Sequence, residues 1–125
     1  MIIPIPTDKR KYFRQALELL KPIPPINTLA NRELDVLAEF IYYNDKYRDI
    51  KEELRAKIIF DYDTKLAMRE YLDMGEAPFN NILTSLRKKN ILTKRGIISS
   101  YGLNLNNPDI VFKFKIDESD KSGNA

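Results

Sequence analysis

The chain predicts a mainly helical domain closed by a small β-hairpin, an α+β arrangement, and three observations carry that reading. Apolar residues recur at three- and four-residue intervals in successive stretches from Phe13 to Leu86, the period of helices with one buried face. Proline and glycine fall between those stretches, at Pro22, Pro24, Pro25 and Gly75. Towards the end the period drops to two, with Ile110, Phe112, Phe114 and Ile116 alternating with Val111, Lys113 and Lys115.

Met1 to Pro6 is an extended apolar arm, because Pro4 and Pro6 forbid a helix and leave Ile2, Ile3 and Ile5 to pack on something. Two readings stay open: the arm binds a partner, or it lies along its own core. Thr7 is the expected cap of a first helix running to Lys21, with Phe13, Leu17 and Leu20 inside and Lys9, Arg10, Lys11 and Arg14 outside. Those cations are read chiefly as a solvated face, with phosphate contact as the alternative. The proline-rich connector ends this helix, so residues 1–27 form an appendage to a main domain at residues 28–116.

Asn31 is expected to cap the first core helix, in which Leu34, Leu37, Ala38, Ile41 and Tyr42 share a face. Tyr43 and Tyr47 then fall at the rim or at a dimer contact; a stacking surface for bases is the alternative. A further helix is expected from about Tyr47 to Phe60, burying Ile50, Leu54 and Ile58. Asp61 to Asp63 reads as a capping turn, since it lacks the glycine and distal glutamate of a calcium loop. Thr64 opens a short helix offering Leu66, Ala67, Tyr71 and Met74 for burial, and Gly75 supplies the turn that follows.

The next stretch, Glu76 to Leu92, carries the strongest signal. Phe79, Ile82, Leu83 and Leu86 make one apolar stripe, and Asn80, Asn81, Thr84, Arg87 and Lys88 make the opposite one. Arg, Asn and Thr are the side chains that bond phosphates and base edges. Arg87, Lys88, Lys89, Lys94 and Arg95 place five cations in nine positions, and no acid occurs from Ala77 to Pro108. A strand at Gly96 to Ser100, a polar loop at Tyr101 to Asp109 and the strand at Ile110 to Ile116 complete the hairpin, whose outer face is basic through Lys113 and Lys115. Residues 117–125, DESDKSGNA, read as a disordered polar tail.

Short helix, glycine turn, polar-faced helix and hairpin together resemble a winged helix-turn-helix domain with an extra N-terminal helix. LANRELDVL is similar to a first core helix of that superfamily, TKLAMREYLDMG to its positioning helix and turn, and FNNILTSLRKKNILTKRGII to its recognition helix and wing. Asn90 stands where glycine is usual, and Glu76 and Ala77 stand where Ser or Thr is usual. More weakly, the chain resembles small winged-helix proteins encoded by tailed bacteriophages. The resemblance implies that Asn80, Asn81, Thr84, Arg87, Lys88 and Lys89 face double-stranded DNA, with Lys94, Arg95, Lys113 and Lys115 on its backbone.

Composition bounds the rest. One domain is expected from 125 residues, with enough chain to bury a core. There is no cysteine and no histidine, which removes disulfides, thiolate chemistry and the commonest base and zinc ligand. No catalytic residue, metal or cofactor is expected. Net charge is +3, but residues 28–63 carry six bases and nine acids while residues 75–125 carry eight and five, so one face is suited to an anion. No apolar run approaches the ~18 residues of a membrane span, so a cytoplasmic protein is expected.

Two functions follow. The first is a DNA-binding transcriptional regulator that reads base edges with Asn80, Asn81 and Thr84. The alternative is a structural or interaction protein, such as a phage virion or connector component inside a particle. Either role is compatible with a homodimer or larger assembly through the N-terminal arm and helix.

Overall fold

The computed structural model describes residues 2–94, 96–97 and 115–117. Their order is α1 (Lys9–Leu20), a 3-10 turn (Ile26–Thr28), α2 (Asn31–Lys46), α3 (Glu52–Ile59), α4 (Tyr62–Leu72), α5 (Glu76–Lys88), β1 (Leu92–Thr93) and β2 (Gly96–Ile97). The described chain is thus mainly helical, and no helix in it is long and apolar enough to cross a membrane.

Helix α2 is the hub, touched by α1, α3, α4, α5 and β2. Val36 to Ile41 are six consecutive buried residues, more than one full turn, so the middle of α2 is enclosed on every side. Phe40 sits at its middle with ring centroids 5.3 Å from Phe60 and 6.4 Å from Phe79, which joins α2 to the end of α3 and the start of α5. From the other side α1 lays Phe13, Ala16 and Leu17 on α2. Tyr43 is buried and Tyr42 only partly so, the reverse of the sequence expectation.

Several boundaries differ from those expected. Asp8, not Thr7, caps α1, its carboxylate accepting from the Lys11 amide at 2.9 Å; an acid one residue closer to the helix wins the cap. Ala30 occupies the cap of α2 and Asn31 is the first helical residue. With no acceptor on Ala30, only half of a capping box exists, the Glu33 carboxylate accepting from the Ala30 amide at 3.0 Å. Helix α3 begins at Glu52 rather than near Tyr47, because the Arg48 and Ile50 amides close short turns on Asp45 and Tyr47. Its buried residues are therefore Ala56 and Ile59, while Leu54 is 53% exposed and Ile50 and Ile58 are half-buried. In α4 the Asp61 carboxylate accepts from the Thr64 amide at 2.8 Å, which accounts for the acidic turn. Met68 and Met74 are buried there, and Tyr71 is 48% exposed.

Helices α4 and α5 are each followed by a side-chain-bearing residue in the left-handed region. Asp73 has φ 51°, and the Met74 amide donates back to the Arg69 carbonyl at 2.9 Å. The expected role of Gly75 thus passes to Asp73; Gly75 has φ −68° and simply precedes α5. After α5, Asn90 has φ 59° and the Ile91 amide donates to the Leu86 carbonyl at 3.0 Å, a six-to-one closure in which Ile91 and Leu86 are both buried. Asn90→Gly should therefore raise stability by roughly 0.5–1 kcal/mol, read as a higher urea midpoint with an unchanged slope. A lower midpoint would mean that the asparagine side chain holds the turn.

The two short strands pair antiparallel, Leu92 with Ile97 and Thr93 with Gly96. Gly96 has φ 115°, a conformation open to glycine. Among the described residues the Gly96 strand pairs with Leu92–Thr93. Lys115 and Ile116 adopt no strand and are exposed; Ile110 to Phe114 lie outside the described residues.

Candidate nucleic-acid interface

Helix α5 is seated by Phe79, Leu83 and Leu86, all buried, which turns Asn80, Asn81, Thr84, Arg87 and Lys88 outward, every one of them exposed. The Thr84 hydroxyl donates to the Asn80 carbonyl at 3.0 Å, which commits its proton and leaves its oxygen free to accept. The Arg87 guanidinium lies 5.7 Å from the Phe60 ring centroid, a cation–π contact that limits its rotamers while its donors stay outward. Arg87 and Lys88 form no ion pair among the described residues.

Lys89 behaves differently. Its ammonium donates to the Thr28 carbonyl at 3.0 Å and to both Glu33 oxygens at 3.2 Å. Three donors with three partners make it a strut between α5 and the start of α2 rather than a free cation. Ser85 adds to this junction, its hydroxyl donating to Glu33 at 2.7 Å. Burial pushes the Glu33 carboxyl up, but the bonds from Ser85, the Ala30 amide and Lys89 outweigh it and hold the group below the ordinary glutamate range. A carboxyl depressed in the folded state stabilises above its unfolded pKa, about 4.3, and that contribution is lost as pH falls through the folded value. Between about pH 5 and pH 3 the native chain should therefore lose more stability than Glu33→Gln, followed by urea unfolding at each pH. Parallel losses would show that the junction does not depend on the charge.

The remaining cations separate into used and free. Arg10 and Arg14, half-exposed at most, are turned onto α2: Arg10 pairs with Glu39, and Arg14 Nε donates to Asp35 at 2.6 Å while its Nη1 meets Glu18 at 2.9 Å. They are structural, which leaves Lys9 and Lys11 as the exposed cations of that helix. Lys94 is exposed just after β1, and Lys115 is exposed on its own short stretch. Arg95 and Lys113 lie outside the described residues. At the other end of α5, Asp73 and Glu76 are exposed, so the helix starts acidic and ends basic.

Beside that basic end runs an open groove of about 880 Å³ between α3, the end of α5 and β1. Ala56, Phe60 and Leu92 give it an apolar floor, and Lys57, Arg87 and Lys94 line it from three separate elements. Nothing in the sequence around Lys57 singles it out. Its partners lie thirty or more residues away, and only the fold brings the three together.

Among the described residues no cluster of three or more metal-ligating side chains occurs. Compared with protein-family models, curated proteins and solved structures, the chain matches none of them.

Proposed function

We propose that this chain is a DNA-binding regulator that reads duplex DNA with the outer stripe of α5. The observation that carries the reading is that Asn80, Asn81, Thr84, Arg87 and Lys88 share one exposed face of a helix whose opposite face is buried, with the helix's one acid, Glu76, confined to its first turn. On this reading α4, the turn at Asp73 to Gly75 and α5 form the helix-turn-helix, and β1–β2 begin a wing. Asparagine amides bond adenine edges in the major groove, and the arginine and lysine neutralise phosphate. Lys94 serves the backbone from beside α5, as do Arg95, Lys113 and Lys115 if the wing extends to them. Lys89 takes a different part, fixing the helix through Glu33.

The test is fluorescence anisotropy of mixed-sequence duplex DNA between about 50 and 200 mM salt. Binding should weaken steeply with salt and vanish when Arg87 and Lys88 are changed to Glu. At a selected site, Asn81→Ala should reduce discrimination by about 1–3 kcal/mol, whereas Lys94→Ala should weaken all sequences alike and lower the salt slope by about one. No binding at low salt would refute the proposal.

A second reading draws on the acids at the start of α5 and on the bare arm, whose Ile2, Ile3 and Ile5 are 94%, 71% and 70% exposed. These suit a protein that holds other proteins, as in a virion or connector, and that reading gains if DNA binding fails.

A further inference from the structure

The DNA reading leaves the arm unused, and of the groove it uses only Arg87 and Lys94, not the apolar floor. Of the two sequence expectations for the arm, packing along its own core is excluded by the exposure of all three isoleucines. The groove beside α3 has an apolar floor, and its charged lining comes from Glu52, Glu53 and Lys57 on α3 and from Arg87 and Lys94.

We propose that the arm of one copy docks in this groove of a second copy. The fit is first one of chemistry. Ile2 to Pro6 carries no charged side chain, so it makes no demand on the charged walls, and three isoleucines gain a dry floor at Ala56, Phe60 and Leu92. Pro4 and Pro6 lack amide protons, which leaves three donors rather than five for burial to strand, and they hold the arm extended before it binds. An extended, proline-stiffened segment over a floor containing an aromatic ring is an established mode of peptide recognition, favoured because little conformational entropy is lost. The lengths also agree. Five residues of polyproline II span about 16 Å, and the α3 wall from Glu52 to Phe60 rises about 12 Å. Exchanging arms in both directions closes a symmetric pair, so the assembly stops at two.

The chain's lack of cysteine allows a direct test at exposed positions. In sedimentation velocity over a concentration series, the full chain should dimerise, and the Ile3→Asp, Ile5→Asp variant should self-associate at least about tenfold more weakly. Circular dichroism should show that variant folded, since neither position touches the core. Mixing an Ile3→Cys chain with a Lys57→Cys chain and oxidising should give a covalent heterodimer in preference to either homodimer. A native chain that stays monomeric throughout overturns the proposal, as does a dimer unaffected by the arm variant. So does a doubly substituted chain that closes its disulfide within one monomer, which would put the arm on its own groove. None of these readouts contains DNA, so they stand or fall apart from the regulator reading.

Discussion

Arg10→Ala should cost about 3–5 kcal/mol of folding stability, a large share of what a domain of this size possesses. Glu39 is only 2% exposed, and Arg10 Nε donates to its two oxygens at 3.1 and 3.0 Å, with Nη2 closing the pair. The guanidinium also lies 3.6 Å from the Tyr71 centroid and 4.9 Å from that of Tyr42, so it ties α1 to α2 and α4 together. Removing it strands a buried carboxylate, and that is the expensive part. Two companion variants separate the causes. Arg10→Lys should recover little, since a single ammonium cannot reproduce the planar fork or the ring stacking. Arg10→Met with Glu39→Leu should recover most of the loss, because no buried charge remains. The check is a double-mutant cycle in urea; an Arg10→Ala loss below about 1 kcal/mol, the range of exposed pairs, would show that Glu39 is hydrated in solution.

Phe40→Ala is the second large effect, about 3–5 kcal/mol. Phe40 is fully buried between the Phe60 and Phe79 rings, so truncating it opens a cavity where α2, the end of α3 and the start of α5 meet. Phe79 seats the first turn of α5, and Phe60 carries Arg87. Under the DNA proposal the variant should therefore lose DNA affinity as well as stability, and a small apolar ligand such as benzene should restore part of its thermal midpoint by filling the cavity. A loss near 1 kcal/mol with unchanged α5 amide exchange would mean that the core repacks.

Much of the fold can be read in the chain before any coordinates, because helical period survives wherever one face is buried. The stripes of α5 and the left-handed turn at Asn90 are where Phe79, Leu86 and asparagine chemistry put them. The phase of α3 is not, since no glycine or proline marks the turn between Lys46 and Glu52, and a late start rotates Leu54 outward and Ala56 inward. The candidate site is legible in its polar stripe but not in its cations. Lys89 and Glu33 are 56 residues apart, Arg10 and Glu39 are 29 apart, and no local pattern announces such pairs. A cation on a helix face looks the same in sequence whether it meets water, phosphate or a distant carboxylate.

Two acids of α2, Glu39 buried and Glu33 partly so, have a mechanical consequence. Glu33 and Glu39 are six residues apart, which on an α-helix separates them by roughly 120° around the axis. One engages α5 and the other α1. Apolar packing alone tolerates a helix that turns or slides by one position, but a one-residue slip of α2, about 100° and 1.5 Å, breaks both attachments at once. The helix is held like a shaft with two keyways cut at different angles, and the azimuth at which α5 shows its outer stripe is indexed to α1 through it.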